Sequence, residues 1–384
     1  MKKYFFFAAC ASVAFASCVN DELVGMEESR SKIVFEAPVV SPATRTVPVP
    51  GQITGYYPTD EEFTVWAMWS DGPFESWADP TNKMYINRVE CVKDAAKDWW
   101  NPTTTYYWPK NGYLNFTAYS PSDAHAKTTP YEGQGTFSYA ADGLHIENYR
   151  VSADASKHYD LLYSTRSLNR EASEDKNVAT PNLNGVDINF KHALSAIDFK
   201  VKRADYIENT TTITLKSIKI LNALCTGNFE EGVLDGASYV NQTGFPKWTC
   251  GTERASQYTY FNGTQNVTTS SAIINDHNDI ILLPQTLLAN PIVNSPTIEV
   301  SYEITANAEA IPVTLKVNLA DIDGNGSADY LGGYSDESLT TPIGDILSWE
   351  IGKRYTYLIT IGLNGIYFKP YVEEWEDVYA GPGI

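Results

Sequence analysis

Phe190-Lys191-His192-Ala193-Leu194-Ser195-Ala196-Ile197-Asp198-Phe199-Lys200-Val201 lies close to the middle of a 384-residue chain. It begins as a half-buried strand, with Phe190, His192, Leu194 and Ala196 on one parity and Lys191, Ala193 and Ser195 on the other. The parity then flips, because the next large apolar residues are Ile197, Phe199 and Val201. A strand cannot change its buried face without a bulge, a bend or a move to another sheet. Such a corner suits a β-sandwich, and its position suits the start of a second one. His192 carries the only chemistry in the stretch, as a base or a metal ligand. It shares a face with Phe190 and Leu194 and has no nucleophile or second ligand near it in sequence, so it reads as a structural histidine at a corner.

Outward from this corner the pattern stays that of strands. Upstream, Phe63 to Trp69 is a strand, Lys110-Asn111-Gly112 is a turn, and Leu114 to Pro121 returns from it. Tyr159 to Ser164 is another short strand. Downstream, Ile213 to Leu221 changes parity near Ser217, and Ile280 to Gln285 is a buried run ended by proline. Ile298, Val300, Tyr302 and Ile304 alternate with Glu299, Ser301 and Glu303, with Val313, Leu315 and Val317 as the expected hairpin partner. Tyr355, Tyr357, Ile359 and Ile361 alternate with Thr356, Leu358 and Thr360, and Tyr367 to Val378 gives a last strand. No long stretch keeps helical spacing. The chain is all-β.

The first residues indicate export. Met1-Lys2-Lys3 is basic, Tyr4 to Phe15 is mostly apolar, and Ala16-Ser17 precede Cys18. That order is a secretory signal peptide, and small residues directly before a cysteine give it the form of a bacterial lipoprotein signal with the lipid on Cys18. Phe15 departs from the smaller aliphatic residue usual there; an ordinary signal peptide cut nearby is the alternative. Past the signal no apolar run is long enough to span a bilayer. A net charge of −19 excludes nucleic acid as a partner, since phosphates call for a basic surface. Cys91, Cys225 and Cys250 show no metal-site spacing. They read as buried free thiols, with a Cys225–Cys250 disulfide as the other option.

Ile33, Phe35, Ala37 and Val39 alternate with Lys32, Val34, Glu36 and Pro38, which predicts one edge strand with a proline near its end. Pro42, Pro48 and Pro50 then flank Ala43-Thr44-Arg45-Thr46. Proline neighbours favour an extended, exposed backbone, so Arg45 is presented as a trypsin-like protease requires. A plain linker that contains an arginine is the competing reading.

Enzyme signatures are missing: there is no Gly-x-Ser-x-Gly, no His-Glu-x-x-His and no phosphate-binding glycine loop. Five histidines are scattered without ligand spacing. Trp66, Trp69, Trp77, Trp99, Trp100 and Trp108 form an aromatic group that either stacks on sugars or packs a sandwich core. Asp321-x-Asp323-x-Asn325-Gly326 with Asp329 matches places one, three, five, six and nine of a calcium loop. The twelfth place is Gly332 rather than an acid, and strands flank the loop, so a polar hairpin turn is the alternative to structural Ca2+.

These pieces in this order resemble the fimbrillin family of Bacteroidetes, the subunits and accessory proteins of lipoprotein-derived pili. The resemblance rests on Cys18, Thr44-Arg45-Thr46, Phe63 to Trp69, and Tyr107-Trp108-Pro109 with Phe116 to Tyr119. It continues through Phe190 to Ser195, Leu283-Pro284-Gln285, and Trp349 to Tyr357 with Trp375. It implies two tandem transthyretin-like β-sandwich domains after a lipoprotein signal peptide: 1–17 signal, 18–45 propeptide with a removable strand, 46–187 and 188–384 the two sandwiches. It further implies a surface-exposed outer-membrane lipoprotein, anchored through lipid on Cys18, that enters a fimbrium. Asn20-Asp21-Glu22 resembles the acidic tag for that outer face. An arginine-specific protease would cut between Arg45 and Thr46, and loss of the strand would let a strand from another pilin subunit add. The donor is either Tyr367 to Val378 or, for a tip or accessory subunit, absent. The other class is a non-polymerising surface lipoprotein that binds a glycan or an adhesion ligand on a host or bacterial surface.

Overall fold

A computed structural model describes residues 31–36, 38–40, 57, 62–73, 82–97, 99–122, 135–140, 143–165, 167–171, 185–232, 244–274, 279–335, 338, 340–341 and 343–375. Among them the regular structure is all β, with only short 3-10 turns such as Ala155–Lys157 and Ile292–Asn294.

The first half builds one wide sheet around two aromatic strands. Phe63–Ser70 pairs with Lys83–Lys93 on one side and Tyr113–Ser120 on the other. The sheet continues outward through Trp99–Pro102 at one end and through Leu162–Thr165 and Asn189–His192 at the other. Alternation along the central strands feeds two cores. Phe63, Val65, Ala67, Leu114, Phe116 and Ala118 face a smaller core, whereas Trp66 and Tyr119 face a larger one. A sheet buried on both faces loses the polar-out alternation, and Phe63–Ser70 is accordingly apolar at most positions. Lys83–Lys93 is an eleven-residue strand whose residues are mostly exposed or half-buried. Its mixed pattern gives no period-two signal, so the sequence did not announce it.

In the second half two sheets enclose the larger core. Ser195–Arg203 runs parallel to Lys353–Ile361, which pairs along nine positions with Ile366–Glu374. Opposite lie Tyr258–Val267, Thr212–Leu221, Thr297–Ala306 and Glu309–Asn318, in that order. The hairpin expected from the alternation at 298–317 is present. The parity change near Ser217 is a register shift between Leu215 and Ser217 on both sides of its strand.

The central stretch makes its corner between His192 and Ser195. Asn189–His192 belongs to the first sheet and Ser195–Arg203 to the second-half sheet. Ala193 and Leu194, both buried, make the turn. Three of their four backbone groups are paired in named bonds: Ala193 N–H donates to Leu161 O, Trp248 Nε1–H donates to Ala193 O, and Gly352 N–H donates to Leu194 O. A buried corner is tolerated only when its amides and carbonyls are paired in this way. His192 lies flat against Trp375, ring centroids 3.8 Å apart and 11° between planes, with Nδ1 3.0 Å from the Asp160 carboxylate. It ties the last described residue to the corner.

The two halves also share a sheet. The hairpin Thr136–Ala140/Gly143–Arg150 pairs with Thr226–Glu230, which pairs with Lys247–Cys250. Buried Glu231 extends that seam, its carboxylate accepting from Leu144 N–H at 2.8 Å while its own N–H donates to Leu144 O. Cys91, Cys225 and Cys250 are free thiols, so the Cys225–Cys250 disulfide is not formed.

His158 is a further tie between the halves. Ile281 N–H donates to its Nδ1 at 3.0 Å, so Nε2 carries the proton and donates to Ser152 O at 3.0 Å. Full burial favours this neutral ring and lowers its pKa from 6.5 to about 4. The unfolded chain therefore takes up a proton first as pH falls, and folding stability is lost between about pH 6.5 and about pH 4. The loss totals about 3 kcal/mol from this one group. Unfolding by denaturant across that range, compared with His158→Asn, is expected to show a shallower pH slope in the variant.

Candidate functional site: the segment that closes the first sheet

Ser31 to Val40 does not form the single edge strand that its alternation predicts. It is split, and its two parts lie at opposite ends of the first sheet. Phe35–Glu36 pairs antiparallel with Trp99–Trp100, and Val39–Val40 pairs parallel with Asn189–Phe190. Pro38 interrupts the ladder between them and is itself buried. One short segment thus covers both edges of an otherwise open sheet.

Its backbone contacts are dense for a segment of this length. Trp108 N–H donates to Ser31 O, Ile33 N–H donates to Tyr106 O, and Tyr57 N–H donates to Pro38 O. Val186 N–H donates to Val34 O at 2.8 Å, and Glu36 N–H donates to Val186 O at 3.0 Å. The close approach at this point depends on Gly185, whose φ is +100°. A Cβ there would meet Glu36 N at 2.8 Å and the Phe35 carbonyl carbon at 3.1 Å, distances that no side chain tolerates.

The side chains are seated as well. Ile33 and Phe35 are almost wholly buried in the smaller core, while Glu36 is exposed. The Phe35 ring meets Phe63 and Phe116 edge-on at 5.6 and 5.7 Å. Tyr57, whose N–H holds Pro38, packs its own ring on Phe190 at 5.3 Å and on Trp100 at 5.8 Å. Aromatic pairs at these spacings contribute beyond simple area burial. Withdrawal of residues 31–40 would leave the Tyr57 and Trp108 amides, the Tyr106 carbonyl and both polar backbone groups of Val186 without these partners, above an uncovered aromatic cavity.

The other sequence-derived candidates fall elsewhere. Cys18, Arg45, Thr46 and Trp77 lie outside the described residues. Trp66, Trp100 and Trp108 are core residues, and Trp69 and Trp99 are half-buried under the amines of Lys83 and Lys97. Trp66, Trp100 and Trp108 thus pack the cores, Trp69 packs against the smaller one, and Trp99 lies outside both. A separate cavity of about 420 Å³ is lined by Tyr163, Trp248, Gln285, Trp349 and Glu350, among others. Its Gln285 amide is spent on the backbone of Leu224 and Leu283, and among the described residues Glu350 is the only carboxylate lining it.

The Asp321 loop is brought together. Carboxylate oxygens of Asp321, Asp323 and Asp329 lie within 4.8 Å of one another. Asp323 and Asp321 also accept from the amides of Asn325 and Gly326 at 3.0 and 3.1 Å, which curls the loop. The Asn325 side-chain oxygen, a fourth ligand in the sequence reading, accepts from Ser327 N–H instead. Three carboxylates in this arrangement suit a hard divalent cation.

The described fold is all β, and its first described segment closes both edges of the first sheet. The chain matches the fimbrillin-like family model over residues 51–375 and belongs to that family. Its role is accordingly in a pilus or in cell adhesion, at the cell surface. A fimbrial protein from Bacteroides vulgatus has a similar fold, with a TM-score of 0.53 at 14% identity over 89% of this chain and 99% of that one. A cell adhesion protein (putative in its description) from Bacteroides uniformis aligns at TM-score 0.44 and 13% identity, over 90% and 98%. The tip fimbrial protein Mfa3 from Porphyromonas gingivalis aligns at TM-score 0.35 and 9% identity, over 83% and 95%. Comparison with curated protein sequences gives no match.

The seat of the segment is measurable in the intact chain. Phe35→Ala is expected to cost about 3–5 kcal/mol of unfolding free energy, and Gly185→Ala about 1–3 kcal/mol through the forced shift of the segment. Urea denaturation of the full chain, with Glu36→Ala as the near-neutral control, checks both.

Proposed function

We propose that this chain is a pilus subunit that is exported as a lipoprotein on Cys18 and assembled by strand exchange after cleavage between Arg45 and Thr46. The observation that carries the reading is the segment Ser31–Val40, which closes both edges of the first sheet and lies just ahead of that arginine. Hydrolysis at Arg45 would turn a covalent part of the fold into a bound peptide. Once it departs, the free edges and the uncovered aromatics take a strand from another pilin subunit. A head-to-tail contact of this kind does not close on itself and so propagates. In this reading residues 1–17 are the signal, 18–45 the propeptide, and 46–187 and 188–384 two transthyretin-like sandwiches braced by the shared sheet. The anchored form sits on the outer face of the outer membrane.

The strand Ile366–Glu374 bears on who supplies the donor. It is paired along its whole length in its own sheet, and Trp375 is clamped on His192. Stalk, tip and accessory positions are all compatible with a subunit that accepts.

Treatment of the full chain with an arginine-specific protease is expected to give a product beginning at Thr46 by mass spectrometry and oligomers by gel filtration. Arg45→Ala is expected to stay monomeric. A wild-type chain that is cut at Arg45 yet remains as monomeric as the variant would sink the assembly reading.

The Asp321–Asp329 loop is proposed in addition to hold Ca2+, on the strength of the three converging carboxylates and the buried, unpartnered Asp321 Oδ1. Calcium at about 100 times its dissociation constant would then stabilise the chain by about 2.7 kcal/mol. A thermal melt with Ca2+ against chelator should show the shift, and Asp323→Asn should remove it. Identical melts would return the loop to a plain turn.

A further inference from the structure

The incoming strand must do more than pair with one edge, because the segment it replaces spans two. We infer that the groove left by residues 31–40 selects a partner strand with an aliphatic side chain, then an aromatic one two residues later, followed by two extended residues four and five places beyond the aromatic. This inference rests on the strand-exchange reading and names the partner that reading requires.

Three features of the groove impose the pattern. The first seat, where Ile33 is buried, is flanked by the Tyr106 carbonyl and the Trp108 amide, which register the strand by one acceptor and one donor. The second seat is bounded edge-on by Phe63 and Phe116 around a wholly buried Phe35. A smaller side chain there leaves a void among aromatic rings, and voids in such a core are not refilled by relaxation. The position between the seats and the one after them tolerate variety, since Val34 is half-buried and Glu36 is exposed. Gly185, lacking a Cβ, lets the partner backbone pass close to the Val186 peptide, where main-chain bonds that any residue can make hold the strand.

The second edge adds a length requirement. Pairing at Val39–Val40 is parallel to Asn189–Phe190, whereas pairing at Phe35–Glu36 is antiparallel to Trp99–Trp100. A partner that stops after the aromatic would leave the Asn189–His192 edge open. The proline at position 38 fits the break between the two ladders because it donates no backbone bond and its carbonyl is the group that Tyr57 N–H reaches. The partner is therefore a protein strand of at least eight residues, with its specificity concentrated at the first and third.

The test uses the full chain after arginine-specific cleavage, mixed with fluorescent peptides and read by polarisation. The probe is a synthetic peptide of residues 31–41, compared with its Phe35→Ala, Ile33→Ala and Glu36→Ala forms and with one truncated after Glu36. Loss of affinity on the order of 100-fold is expected for Phe35→Ala and about 30-fold for Ile33→Ala. Glu36→Ala should bind within about threefold of the parent, and the truncated peptide should bind at least about tenfold more weakly. Parent and Phe35→Ala peptides that bind alike would overturn the selectivity while leaving strand exchange standing. A cleaved chain that takes up none of them, the parent included, would overturn strand exchange itself.

Discussion

The structure depends on how the first sheet is closed. A sheet with two uncovered edges exposes rows of unpaired amides and carbonyls, and here the face between those edges is lined by Phe63, Phe116, Phe190 and Trp100. Closure is entrusted to ten residues that lie at the start of the described chain and pack no second layer of their own. They bond to Tyr106, Trp108, Val186 and Tyr57 and bury the Phe35 ring against Phe63 and Phe116. A single element thus decides whether the fold is sealed or open, and it is one that a cut at a neighbouring arginine would disconnect.

The halves of the remaining chain are joined by contacts that do not involve residues 31–40. The strands Thr136–Ala140, Gly143–Arg150, Thr226–Glu230 and Lys247–Cys250 share a sheet, Glu231 extends it, and His158 reaches from one half to the backbone of the other. The His192–Trp375 stack locks the far end of the described chain to the corner where the sheets change. Loss of the first segment would open one cavity and leave the larger core, with its facing sheets, intact.

How much of this was legible varies with the origin of each feature. The change of parity between Phe190 and Val201 marked a sheet change because side-chain alternation is a local property of extended backbone, and the structure makes the turn at Ala193 and Leu194. The bulge near Ser217 and the 297–318 hairpin were readable for the same reason. Lys83–Lys93 was not, since a strand with few buried residues has no alternation to read. The tryptophans at 66, 69, 99, 100 and 108 were recognisable as a group, yet only burial shows that Trp66, Trp100 and Trp108 fill a core while Trp69 and Trp99 stay half-buried. The calcium pattern was visible as spacing, and the fold then brought Asp321, Asp323 and Asp329 together while engaging Asn325 elsewhere.

By itself the sequence determined the all-β class, the location of the corner, the presence of a short apolar segment ahead of Arg45, and the resemblance to fimbrillins. Those follow from spacings of two residues and from the chemistry of Pro, Arg and Cys, which need no distant partner. Only the tertiary structure decided that the segment divides between two edges, that Gly185 and Tyr57 receive it, that the halves share a sheet, and that His158 is held neutral. Each of these is a meeting of residues from 19 (Pro38 and Tyr57) to more than a hundred positions apart. A period-two pattern says which face of a strand is buried, but the neighbour that buries it is chosen by the packing of the whole chain. The corner at His192 was legible as a bend, and its clamp onto Trp375 was not, because nothing local to either residue specifies the other.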